Sequence, residues 1–190
     1  MRLVTKIASA LFAAASIPLI AHGATIGGAH YAVQYDFQEF YHVTDGKPFQ
    51  IILAGNPFPG LSEADVARQL LPIMQANKPR SHAIFTYDEP TGERPRPYYR
   101  LYLISAPAND LGPDSVCATG KIRFKEPTPG KFYLYAIYCR NDQALSYTTG
   151  WTGAASPSDP NVGDLFKDLF ATVFSDSPAT RPNFGKIPIR

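Results

Sequence analysis

Lys121-Ile-Arg-Phe-Lys-Glu-Pro-Thr-Pro-Gly-Lys-Phe-Tyr-Leu-Tyr-Ala-Ile-Tyr-Cys139 is the stretch on which the fold turns. Two runs, residues 121–126 and 131–139, flank Pro127, Thr128, Pro129 and Gly130, residue types that set a tight turn. The stretch predicts a β-hairpin. Centring it between Thr128 and Pro129 puts residue 118 opposite Cys139, one position from Cys117, the only other cysteine. A bulge or a shifted turn brings the two thiols together, so the spacing predicts a Cys117–Cys139 disulfide. Closing that loop of roughly 20 residues stabilises the fold by about 3 kcal/mol in the chain-entropy description. No Cys-x-x-Cys redox spacing is present.

The pattern on either side of the hairpin alternates between strand and helix periods. Upstream, residues 31–37 alternate Tyr31, Val33, Tyr35 and Phe37 with Ala32, Gln34 and Asp36, which predicts a half-buried strand continued by Phe40 and Tyr41 after a bulge. Residues 49–54 predict a second, central strand. Ser62 with Asp65 three positions on predicts a helix start, and Val66, Leu70, Ile73 and Met74 share its apolar face. Pro72 should kink its last turn. Residues 81–87 and 98–105 predict two more strands around an exposed loop at 88–97, and residues 106–113 read as a loop. Downstream of the hairpin, residues 144–149 predict a more polar strand. Val162, Leu165, Phe166, Leu169, Phe170, Val173 and Phe174 then fall on one helical face. The order β-β-α-β-β-β-β-β-α predicts an α+β fold: a single two-layer domain over residues 24–175. It has a mixed, mostly antiparallel sheet of about five to seven strands and two amphipathic helices packed on one face.

The ends set the compartment. Arg2 and Lys6 precede an apolar run from Ile7 to Ala21, and Ala21 and Gly23 are the small residues a signal peptidase needs. Residues 1–23 therefore read as a signal peptide, and the location expected is periplasmic or secreted, where a disulfide persists. No second long apolar run follows, so no transmembrane span is expected in the mature chain. Removing the leader leaves 16 basic against 16 acidic residues, without the basic footprint that nucleic acid demands. Residues 176–190 hold three prolines and form a Pro-rich C-terminal tail.

No catalytic residue emerges from motifs. The mature histidines His30, His42 and His82 lack metal-ligand spacing, so no metal is expected. The run from Ser158 to Asp164 gathers oxygen ligands, but a helix cap at Asp159 or Asn161 explains it without an ion. Asp88, Glu89 and Glu93 share one proline-rich loop with Arg94 and Arg96, which reads as a solvated charged loop rather than a glycosidase pair. No cofactor is implied. The one excess is aromatic, 11 tyrosines and 12 phenylalanines. Tyrosines crowd residues 98–102 and 133–138, where both alternation faces are apolar. Either these strands are buried on both sides, or one face is open and Tyr-rich. On the second reading Tyr99, Tyr133 and Tyr135 form a partner-binding surface, for an envelope protein or for self-association.

Residues 136–139 followed by Ala144-Leu145-Ser146 and an amphipathic helix ending in Val173-Phe174 resemble a pattern in small uncharacterised exported proteins of the bacterial envelope. The layout is similar to the periplasmic sheet-and-helix domains of envelope assembly factors, the N-terminal domain of TolB and the periplasmic part of CsgG. The resemblance implies an envelope binding role and carries over no catalytic residues. The function expected is therefore that of an exported protein of binding or assembly type. The alternatives are a secreted hydrolase whose site forms only in three dimensions and a small-ligand carrier.

Overall fold

A computed structural model describes residues 23–79, 82–93 and 95–178. The expected leader, except Gly23, and the tail beyond residue 178 lie outside the described residues. Those residues form an α+β fold of seven strands and four helices. In chain order these are β1 (Thr25–Ile26), β2 (His30–Tyr31), α1 (Phe37–Thr44), β3 (Pro48–Ala54), α2 (Glu63–Ala76) and β4 (Ile84–Thr86). Then come β5 (Tyr99–Ser105), α3 (Pro113–Thr119), β6 (Lys131–Arg140), β7 (Gln143–Gly153) and α4 (Pro160–Val173). One mixed sheet runs β1-β7-β6-β5-β3-β4, with β2 also on β7. β3 is parallel to both β4 and β5, and the remaining pairs are antiparallel.

The main core lies on one sheet face. Leu101, Leu103, Phe132, Leu134 and Tyr138 point into it from β5 and β6, against Phe40 of α1, Leu70 and Met74 of α2 and the apolar stripe of α4. The two expected helices pack on this face as their periodicity requires, each capped as read. Ser62 Oγ accepts from Asp65 N–H, and Asp159 accepts from Asn161 N–H. The Asp159 cap accounts for part of the oxygen-rich run without an ion. Gly150 on β7 leaves room for α4 side chains. A Cβ there would sit 2.8 Å from Leu165 Cδ1 and 3.0 Å from Leu169 Cδ1.

The expected hairpin is displaced by one strand. β6 pairs not with residues 121–126 but with β7, across a turn at Asn141 and Asp142, and with β5 on its other edge. Pro127–Gly130 is still a turn, with Gly130 at φ +70° and Lys131 N–H bonded to the Thr128 carbonyl. Of residues 121–126, only Phe124 makes a bridge, to Pro107. The reason is desolvation. Lys121, Arg123, Lys125 and Glu126 put four charges into six residues, whereas residues 143–153 carry none and can lie next to a strand apolar on both faces.

Two further helices stand where the sequence predicts a strand and the run from the 106–113 loop into the hairpin. α1 covers residues read as strand. Asp36 caps it by accepting from Gln38 N–H, Glu39 stands three positions on, and Phe37, Phe40 and Thr44 follow a helical spacing. The strand expected over residues 31–37 is confined to His30–Tyr31; Tyr35 N–H bonds the Ala32 carbonyl in a turn that leaves Val33 exposed, and Asp36 then starts the helix. α3 starts at Pro113 after Gly112 and stops at Gly120, φ +67°, the usual Pro-in, Gly-out pair. It covers part of the opposite sheet face, where Val116 and Cys117 pack with Tyr102, Ile104, Ile137 and Cys139. The disulfide forms, with Cα atoms 5.6 Å apart, but it ties α3 to β6 instead of bridging two hairpin strands.

Candidate functional site

The register of β6 and β7 builds the aromatic surface. Pairing of Tyr133 with Trp151, Tyr135 with Thr149 and Ile137 with Tyr147 puts all these side chains on the face opposite the main core. β2 adds His30, paired with Tyr147 and stacked on its ring at 4.7 Å. Tyr133 stacks on Trp151, and Tyr135 meets Tyr147 edge-on at 6.0 Å. Two lysines edge the platform. Lys131 Nζ lies 4.5 Å from the Trp151 ring and 5.7 Å from Tyr133, while Lys125 Nζ lies 5.9 Å from Tyr133 and donates to Asn109. A shallow groove of about 290 Å³ runs between His30, Tyr133, Tyr135 and Tyr147 and the segment Pro107–Ala108–Asn109. His30 is exposed, Tyr133, Tyr147 and Trp151 are half-buried, and Tyr135 is buried, at the groove's floor.

The three tyrosines named from sequence do not share a face. Tyr133 and Tyr135 lie on the aromatic platform. Tyr99 pairs opposite Arg140 and points into the main core, where its ring stacks on Tyr138 and its hydroxyl donates to Glu39. Its partner carboxylate also receives Arg140 Nη1 at 3.0 Å, so this trio clasps α1 to the sheet. Tyr99 is therefore a core residue, and the parity of β5 excludes it from the open face. Tyr147 and Trp151 belong to the platform and were not singled out in the sequence, and His30, weighed there only as a metal ligand, joins them from β2. The signal of the first two was the alternation Ser146–Trp151 beside Tyr133, which becomes legible only once β6 is known to pair with β7.

Burial pushes the Tyr99 phenol up to about 12, helped by its bond to Glu39. Burial likewise raises Tyr35, Tyr87, Tyr135 and Tyr138, the last most strongly placed in the core. In the unfolded chain these phenols ionise near 10. The folded state holds their protons longer, so their contribution is complete below about pH 10; that of Tyr99 is lost as pH rises through about 12, and that of the others at still higher pH. The melting temperature should therefore fall steeply between these values. Phenolate absorbance of the buried rings should appear together with loss of the near-ultraviolet circular dichroism; phenolate formation with the fold intact would refute the burial argument.

A second hollow, of about 860 Å³, lies at the starts of β3, β4 and β5. It is lined by His42, Lys47, Gln50, Asp88, Glu89 and Tyr98 among others, under the proline-rich loop. The loop at residues 88–97 thus lines this hollow and contributes nothing to the lining of the aromatic groove. Asp88 is engaged locally, accepting from the Thr86 hydroxyl. His82 pairs with Asp45 at 2.8 Å, both exposed. Among the described residues no three His, Cys, Asp or Glu side chains converge as a metal site would require, and no helix is long and apolar enough to cross a membrane. Arg100 is buried on the platform side of β5 and donates to the carbonyls of Cys117 and Asn141, a structural clip between α3 and the β6–β7 turn. None of the protein-family models, curated proteins or solved structures compared with this chain matches it.

Proposed function

We propose that the protein is exported, periplasmic or secreted, and works by binding an envelope component through the aromatic platform. The observation that carries this reading is the run of Tyr133, Trp151, Tyr147 and His30 side by side on a sheet face that α3 leaves half uncovered. Rings with a polar tip bind at low entropic cost and dominate interface energetics. Lys125 and Lys131 beside the rings favour a partner with acidic or hydrogen-bond-accepting groups. The disulfide fits an oxidising compartment. The test is the double variant Tyr133→Ser, Trp151→Ser, used to capture partners from the native envelope. The expected result is a loss of about tenfold or more in partner recovery at unchanged melting temperature. A lowered melting temperature with recovery intact would reduce the platform to a piece of core.

A second reading has its own observation. The hollow of about 860 Å³ brings His42 together with Asp88 and Glu89, the acid–histidine company that a hydrolase or ligand carrier needs. It is favoured if His42→Ala abolishes an activity or a small-ligand signal while the platform variant does not.

A further inference from the structure

The two sides of the sheet's β4 end are treated differently, and the difference identifies an acceptor for another strand. β4 is three residues long and pairs only with Pro48–Gln50, whereas β3 continues to Ala54. The outer side of β4 is closed by side chains. Gln75 of α2 donates from Nε2 to the Ala83 carbonyl and accepts from Phe85 N–H, the two contacts a neighbouring strand would make. Lys78 Nζ adds a second donor to Ala83. An edge so blunted does not recruit a strand.

Beyond Gln50 no such cover is found on the edge of β3 among the described residues. The bond from Ile84 N–H to the Lys47 carbonyl shows that odd-numbered residues of this strand turn their main-chain groups toward the β4 side. Alternation then presents both the N–H and the C=O of Leu53 to the place where β4 has ended. Among the described residues, no strand pairs with residues 51–54 on that side. A cleft of about 450 Å³ runs along this edge, between Ile51, Ile52 and Leu53 of β3 and Ala64, Val66 and Ala67 of α2. Tyr87, the first residue after β4, closes one end and is held there by donating to the Ala67 carbonyl. The charged residues in the lining are Glu63 and Glu89, both acidic. Ile52 and Leu53 are only partly buried, as edge residues lacking a neighbour are.

We propose that this edge accepts an extended segment of a partner polypeptide, which continues the line of β4 and pairs with Ile51–Leu53 by strand addition. The occupant is set by the cleft: main-chain hydrogen bonds to Leu53, an apolar side chain directed onto Leu53, Ala64 and Ala67, and a Lys or Arg side chain toward Glu63. A main-chain donor and acceptor on one strand residue match the alternating C=O and N–H of an extended chain, so a strand satisfies both by geometry. The proposal stands independently of the aromatic platform, which is built on β6 and β7 and separated from this edge by β5.

The probe is a library of random linear seven-residue peptides displayed on phage, panned against the mature protein with its disulfide intact. The expected outcome is enrichment of sequences alternating apolar and polar residues with one Lys or Arg. The best peptide is then synthesised with single backbone N-methyl groups at each position in turn. N-methylation should abolish binding at alternate positions and leave the others nearly unchanged, because only every second residue of a strand bonds its neighbour. Leu53→Pro, which removes the edge-facing donor and not one used by β5, should weaken the peptide at least tenfold. Glu63→Gln should weaken it a few-fold in low salt only. No enrichment, or binding insensitive to the parity of N-methylation, would overturn the proposal. So would peptides that lose affinity in the Tyr133→Ser, Trp151→Ser variant and not in Leu53→Pro, since they occupy the platform instead. Should Leu53→Pro fail to fold, the N-methyl series on the unaltered protein decides.

Discussion

Phe40→Ala should destabilise the protein by about 3–5 kcal/mol, enough to lower its melting temperature by roughly 10 °C. Phe40 is fully buried and is the centre of a ring cluster. It stacks on Phe174 at 4.1 Å and meets Phe49 and Tyr138 edge-on at 5.8 and 5.6 Å. These partners come from β3, β6 and the end of α4, so one side chain fastens a short helix to three separated parts of the chain. Such a cavity cannot collapse easily, because its walls are rigid aromatic rings on paired strands. α1 is eight residues long and too short to persist by propensity alone. Losing its anchor should also loosen the Glu39 contacts with Tyr99 and Arg140. Urea unfolding checks the magnitude, and Phe37→Ala, at a half-buried position of the same helix, is the control expected to lose much less. Equal losses at both positions would show that α1 adds only helix propensity and does not anchor the core.

The double variant Cys117→Ala, Cys139→Ala should lose about 3 kcal/mol through the added freedom of the unfolded chain, the cysteines being 22 residues apart. The loss should be felt unevenly. α3 is held to the sheet by the disulfide, the burial of Val116, Arg100 donating to the Cys117 carbonyl, and Asp114 accepting from Ala144 N–H of β7. Removing the first leaves the others, so α3 should stay in place but open more often. Amide exchange should accelerate over Pro113–Thr119 while α4, packed on the opposite face, keeps its protection under native conditions. Uniform acceleration across both faces would mean that the bond acts on the whole fold and not on the covering of this face. Because α3 bounds the aromatic platform, the same variant also tests whether partner recovery depends on that boundary.

Ser62, Asp159 and the stripe from Val162 to Phe174 determined α2 and α4 by themselves, since capping and a 3.6-residue period act within one segment and need no neighbour. The cysteines were legible for the same kind of reason: two thiols in one chain have a single possible pairing within it. α1 and α3 also carried local signals, Asp36 with Glu39 and Pro113 with Gly120, but a stretch of alternating aromatics masked the first. Pairing was a different matter. Residues 121–126 flank a good turn, yet β7 displaced them, because a strand buried on both faces selects neighbours by the cost of burying charge, and that competition is settled across the whole chain. The site followed the pairing. Tyr99 and Tyr133 are equally aromatic and equally strand-like in sequence, and one is core while the other is surface. A strand's alternation says which residues share a face. Only the packing of α1, α2 and α4 on one side and α3 on the other decides which face meets water.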